Sequence, residues 1–96
     1  MSIANVSLQV LPKVPDEKLY YVVDKVIEYI QASGVKYEVG PMETTMEGEL
    51  DHLMEIVKEA QHICIKHGAT GVISVVKIEY KPEGVSIDEK IRKYRK

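Results

Sequence analysis

An α+β fold is predicted for this 96-residue chain on two observations. Hydrophobic residues recur every second position, then with a 3.6-residue period, then every second position again. That cycle occurs twice, in the same order: strand, helix closed by glycine, strand. A chain of this length can build one modest core, so a single domain spanning residues 1–96 is expected.

Ile3 to Leu11 alternates, with Ala4, Val6, Leu8 and Val10 on one face and Asn5, Ser7 and Gln9 on the other. Period two predicts a strand, closed by Pro12 and Pro15, which lack a donor for the ladder. Leu19, Val22, Val23, Val26, Ile27 and Ile30 then form one helical stripe. Pro15 and Asp16 suit its start, and Gly34 its C′ position. Two short strands follow, Val35 to Val39 and Met42 to Glu47, with Gly40-Pro41 as the hairpin break and Gly48 as the end. A second helix is expected from about Glu49 to His67, with Leu50, Leu53, Met54, Val57, Ala60 or Gln61, and Cys64 facing the core. Gly68 stops it. Thr70 to Lys81 reads as a long last strand. In it Val72, Val76 and Ile78 turn toward the helices and Ile73 and Val75 turn away. Ser86 and Glu89 form a capping box before a short final helix. Its five basic residues suit a solvated helix C-terminus.

The order β-α-β-β-α-β, with a short C-terminal helix, predicts a split β-α-β sandwich of the ferredoxin-like type. Four antiparallel strands in the order 4-1-3-2 lie beneath two helices on one face. The other face carries Ile73 and Val75, and Ile3 and Leu11 can join them. Such a patch marks a contact surface, so a homo-oligomer is expected.

Thirteen Lys and Arg against 15 Asp and Glu give net charge −2, which argues against a phosphate-backbone binder. One cysteine permits no internal disulfide. Neither a signal peptide nor a membrane-length apolar run is present, which points to a soluble, cytoplasmic chain. His52, His62, Cys64 and His67 lack metal-ligand spacing, and Cys64 reads as core filler. The connection Leu11-Pro12-Lys13-Val14-Pro15 offers no glycine-rich phosphate cradle, against an acylphosphatase. The first strand has no aromatic on which a base could stack, against an RNA-recognition domain. No nucleophile–base pair stands out, and an enzyme would need groups meeting across a subunit boundary.

The densest polar cluster runs from Gly40 to Gly48. Alternation sets Glu43, Thr45 and Glu47 on one face and Met42, Thr44 and Met46 on the other. Residue types alone fit a solvated strand between turn glycines. Thr44, however, enters an apolar layer, where its hydroxyl needs a partner, either a backbone carbonyl or a ligand.

The run from Tyr37 to Gly48 resembles the signature of the small thiamine-binding, YkoF-like proteins. Tyr37, Gly40, Met42, Thr44, Glu47 and Gly48 match it, and the likeness extends over about residues 3–82. Glu79-Tyr80-Lys81 departs from the family pattern. The resemblance implies the ferredoxin-like fold, dimers or tetramers, and a site for thiamine or its hydroxymethylpyrimidine portion. On that basis Glu47 would face the thiazolium cation, Thr44 and Ser7 the pyrimidine edge, and Met42 and Tyr37 the wall. A second subunit would complete the pocket. The expected function is therefore non-enzymatic binding of a small molecule, with a ligand-free assembly or regulatory module as the competing reading.

Overall fold

The computed structural model describes residues 2–95. Strand β1 (Ile3–Pro12) leads through a 3-10 turn (Asp16–Lys18) into helix α1 (Leu19–Ala32). Strands β2 (Lys36–Val39) and β3 (Thr44–Glu49) form the hairpin, followed at once by helix α2 (Leu50–Lys66). Strand β4 (Val72–Glu79) and helix α3 (Ile87–Ile91) complete the chain, with a 3-10 turn over Arg92–Tyr94. The sheet is antiparallel in the order β2-β3-β1-β4, as the sequence predicts.

Strand β1 is interior, between β3 and β4, and its helix-facing side is apolar throughout. Ala4 and Val6 are fully buried, and Leu8 and Val10 nearly so. Above them pack Val22, Val26 and Ile30 of α1 and Leu53, Ile56, Val57, Ala60 and Cys64 of α2. Ile56 joins the stripe read from the sequence, since it lies three residues beyond Leu53. Gln61 sits at its flank, where its Oε1 accepts a 2.7 Å hydrogen bond from Ser74 Oγ and so ties α2 to β4.

The bounds of β3 and β4 differ by two residues from those expected. The strand β3 starts two residues later and runs through Gly48, which pairs with Ala4. A Cβ at Gly48 would lie 3.3 Å from the Leu53 side chain. Glycine there lets α2 approach the sheet and does not end the strand. Strand β4 is shorter at both ends than the alternation suggests. Ile78 pairs with Val6 on the helix-facing side, yet it is 50% exposed. It stands on an edge strand that the helices only partly cover.

The basic residues of the tail, Lys90, Arg92, Lys93 and Arg95, are exposed as the sequence suggests, while the segment that carries them folds back onto the open face of the sheet. Ser86 Oγ caps α3 by accepting from Glu89 N–H at 3.3 Å. Val85 N–H donates to Ile3 carbonyl at 3.0 Å, and Ile87 is buried. Lys90 and Arg95 pair with sheet carboxylates, Glu79 and Glu38 respectively. Lys96, the last of the five basic residues, lies outside the described residues.

Truncating the fully buried Ile30 to alanine should cost about 2–5 kcal/mol of unfolding free energy. Glu28→Ala, on the solvent face of the same helix, should cost about 0.5 kcal/mol or less. Urea denaturation midpoints of the two variants check both values.

Candidate functional site

Two depressions flank the hairpin loop Gly40-Pro41-Met42-Glu43. That loop is tightly closed: Gly40 N–H donates to Glu43 carbonyl at 2.8 Å, and a Cβ at Gly40 would approach the same oxygen to 3.0 Å. The smaller depression, a groove of about 240 Å³, lies on the helix-facing side. Leu19, Val23 and Ile27 of α1 line it, with Met42 and Thr44 opposite. The larger, about 780 Å³, is a trough on the open face. Volumes between about 300 and 1,000 Å³ are usual for sites that bind small molecules, so the trough is the candidate.

Its floor is the polar side of β1 and its neighbours. Ser7 sits between Thr45 on β3 and Lys77 on β4, its direct cross-strand partners. Asn5 and Gln9 extend the floor along β1. The hairpin loop forms one wall, through Met42 and Glu43. Helix α3 forms the other, through Ile87, Lys90 and Ile91.

The carboxylates of this region differ in how firmly they are held. Glu47 accepts a 2.7 Å bond from Ile87 N–H and a long one, 3.5 Å, from Asn5 Nδ2. Glu79 is paired with Lys90, whose ammonium also donates to Asn5 Oδ1 at 2.6 Å. Glu43 is different. Its Oε1 accepts from Ser7 Oγ at 3.5 Å, and its Oε2 lies 3.4 Å from Lys77 Nζ. Contacts at that length are near the limit of hydrogen bonding and weak. Glu43 can therefore exchange Lys77 for another cation at little cost.

The residues singled out from the sequence divide between the two faces. Ser7 is on the trough floor and Met42 on its wall. Glu47 shares that face but is occupied in anchoring α3. Thr44 pairs with Leu8 and is buried toward the helices, where it lines the smaller groove. Tyr37 pairs with Met46 and packs against the core. Glu43, Thr45, Gln9 and Lys77 complete the trough and were not singled out. The signal was available: alternation puts Glu43 and Thr45 on one face of β3, and Ser7 and Gln9 on one face of β1. Only the register brings Thr45 opposite Ser7. Burial pushes the Cys64 thiol pKa up, which keeps it protonated and inert inside the core.

The fold and the trough define a small α+β protein with one helix-covered face and one polar, partly strapped face. The chain belongs to the thiamine-binding protein family, whose model matches residues 6–95. It is 66% identical to a UPF0045 protein of Clostridium perfringens, over 99% of this chain and all of that one. A Bacillus cereus structure of a domain of unknown function, DUF77, superposes with a TM-score of 0.91 at 53% identity, covering 98% of this chain and 91% of that one. A Thermotoga maritima structure, named for a proposed part in thiamine biosynthesis or salvage, gives 0.90 at 42% identity, covering 97% and 99%. No helix among the described residues is long and apolar enough to cross a membrane.

The ion pairs that dock α3 set a pH window. Hydrogen bonding from Lys90 holds Glu79 below its ordinary value, and Lys36 does the same for Asp88, at 2.5 Å. Depressed carboxyls stabilise docking above their unfolded pKa, and that support is lost as pH falls through the folded value. Lys36 is raised above 10.5, chiefly by its hydrogen bond to Asp88, so its support is lost only as pH rises through the raised value. Docking should be flat from about pH 5 to pH 10 and weaken below about pH 4. Methyl chemical shifts of Ile87 and Ile91 across that range check this.

Proposed function

We propose that this chain is a non-enzymatic binding protein for thiamine or its hydroxymethylpyrimidine portion, holding the ligand in the open-face trough of a homo-oligomer. One observation carries the reading: a loosely held carboxylate, Glu43, stands above a floor of hydroxyl and amide groups. Thiamine has matching parts. Its thiazolium ring is a permanent cation, and its aminopyrimidine presents both hydrogen-bond donors and acceptors.

In this reading the thiazolium replaces the Lys77 ammonium at Glu43. The exchange trades one cation for another and leaves no charge unpaired, since exposed Lys77 swings into water. Ser7, Thr45 and Gln9 meet the pyrimidine edge. Met42, which is 72% exposed in the single chain, covers a ring face. Family membership supports the choice of ligand.

The trough is wide for one subunit, and a second copy would narrow it. Directly beside the floor, Leu11 pairs with Ile73, and Val75 follows opposite Gln9. All three apolar side chains are exposed on the part of the face away from the α3 anchors. Exposed apolar residues grouped in this way favour association. The same strip supports the competing reading of a ligand-free assembly module, which the titration below separates.

Isothermal titration of the full chain with thiamine should give saturable heat. Glu43→Gln should weaken binding about tenfold, and Ser7→Ala about two- to tenfold. Lys77→Gln should tighten it, because the competing cation is gone. Absence of heat at millimolar thiamine from folded wild-type protein contradicts the reading. Ile73→Asp should shift the sedimentation profile to the monomer; an unchanged profile contradicts the proposed interface.

A further inference from the structure

The C-terminal helix, unlike α1 and α2, is fastened to the sheet mainly by polar side chains. Apart from Ile87, which is buried, and half-buried Ile91, its side-chain attachments are polar. Lys90 reaches Asn5 and Glu79; Asp88 meets Lys36 at 2.5 Å; Arg95 lies 3.7 Å from Glu38. The backbone N–H of Ile87 donates to Glu47 at 2.7 Å. The ion-pair side chains are roughly half exposed, so salt screens them. With five residues, α3 is too short to remain helical away from the sheet. It is therefore either docked and folded or released and unfolded.

We infer that the segment from Val85 to Arg95 is a releasable strap, and that the Lys90 ammonium is its fastener. The strap closes one side of the trough, since Ile87, Lys90, Ile91 and Arg95 all line it. Its fastener occupies a niche of amide and carboxylate oxygen on the sheet, at Asn5 Oδ1 and Glu79. Release would free these groups together with Glu47 and extend the open floor along β1. A ligand lying in the trough would then enter or leave past the released strap. The inference rests on the proposed binding reading only for this last step.

The test has two arms that fail separately. In the first, hydrogen–deuterium exchange is followed in the ligand-free full chain. Residues 85–95 should exchange about tenfold faster as sodium chloride rises from low concentration to about 1 M, where the Debye length is about 3 Å. The β1 and β3 amides should hold their rates. Lys90→Met, which keeps most of the aliphatic stem, should reach the fast rate at low salt. Lys90→Arg should restore slow exchange. Strap amides as slow as those of β1, indifferent to both salt and Lys90→Met, would overturn the inference whatever the ligand does. In the second arm, stopped-flow dissociation of thiamine should be about tenfold faster from Lys90→Met than from wild type. Unchanged dissociation would overturn the gating role. A wild-type chain that binds no thiamine but shows the exchange pattern overturns the ligand reading and leaves the strap standing.

Discussion

The structure depends on the two-sidedness of β1. One side, Ala4 to Val10, is apolar and is the floor on which both long helices pack. The other side, Asn5 to Gln9, is polar and lies at the middle of the sheet. Burying the first side fixes the second, because a one-residue slip would reverse every side chain. The core and the trough are therefore two consequences of one register. Hydrophobic burial supplies the energy, and the polar residues go where that burial sends them.

This division explains what was legible in the sequence. Strand and helix order and most of the core stripe follow from period, which is a local property, and sheet order follows from that element order through the rules of chain connection. The polar face could also be listed by alternation. Its partners could not, since the position of Thr45 opposite Ser7 is a non-local fact. Gly48 illustrates the same limit. As a residue type it signals an end, while its observed role depends on Leu53 of the next helix. The tail is the clearest case. Lys90 and Arg95 are solvent-exposed cations, as the sequence suggests, but their partners, Glu79 and Glu38, could not be read because these lie far away in sequence. Thr44 and Tyr37 carried the family resemblance, yet they turn toward the helices and away from the trough.

Charge is distributed over the open face with a consistent logic. Glu47 and Glu79, which anchor helix α3, are held by short bonds, whereas Glu43 beside the hairpin loop, and Glu38, which meets the end of the tail, are held by long ones. An oxygen already satisfied has little to gain from a ligand, whereas a weakly paired one gains more. The distinction separates residues that build the trough from those that can serve it. It also assigns the hairpin two roles: Gly40 closes the loop tightly, and that closure holds Met42 and Glu43 over the floor.

The central claim is that the polar side of β1 and its neighbours form the floor of a ligand site. Amide chemical-shift mapping during a thiamine titration tests it most directly. Shifts concentrated at Ser7, Gln9, Met42, Glu43, Thr45 and Lys77 are what this account requires. Shifts confined to Leu19, Val23, Ile27 and Thr44 would move the site to the helix-facing groove and contradict it.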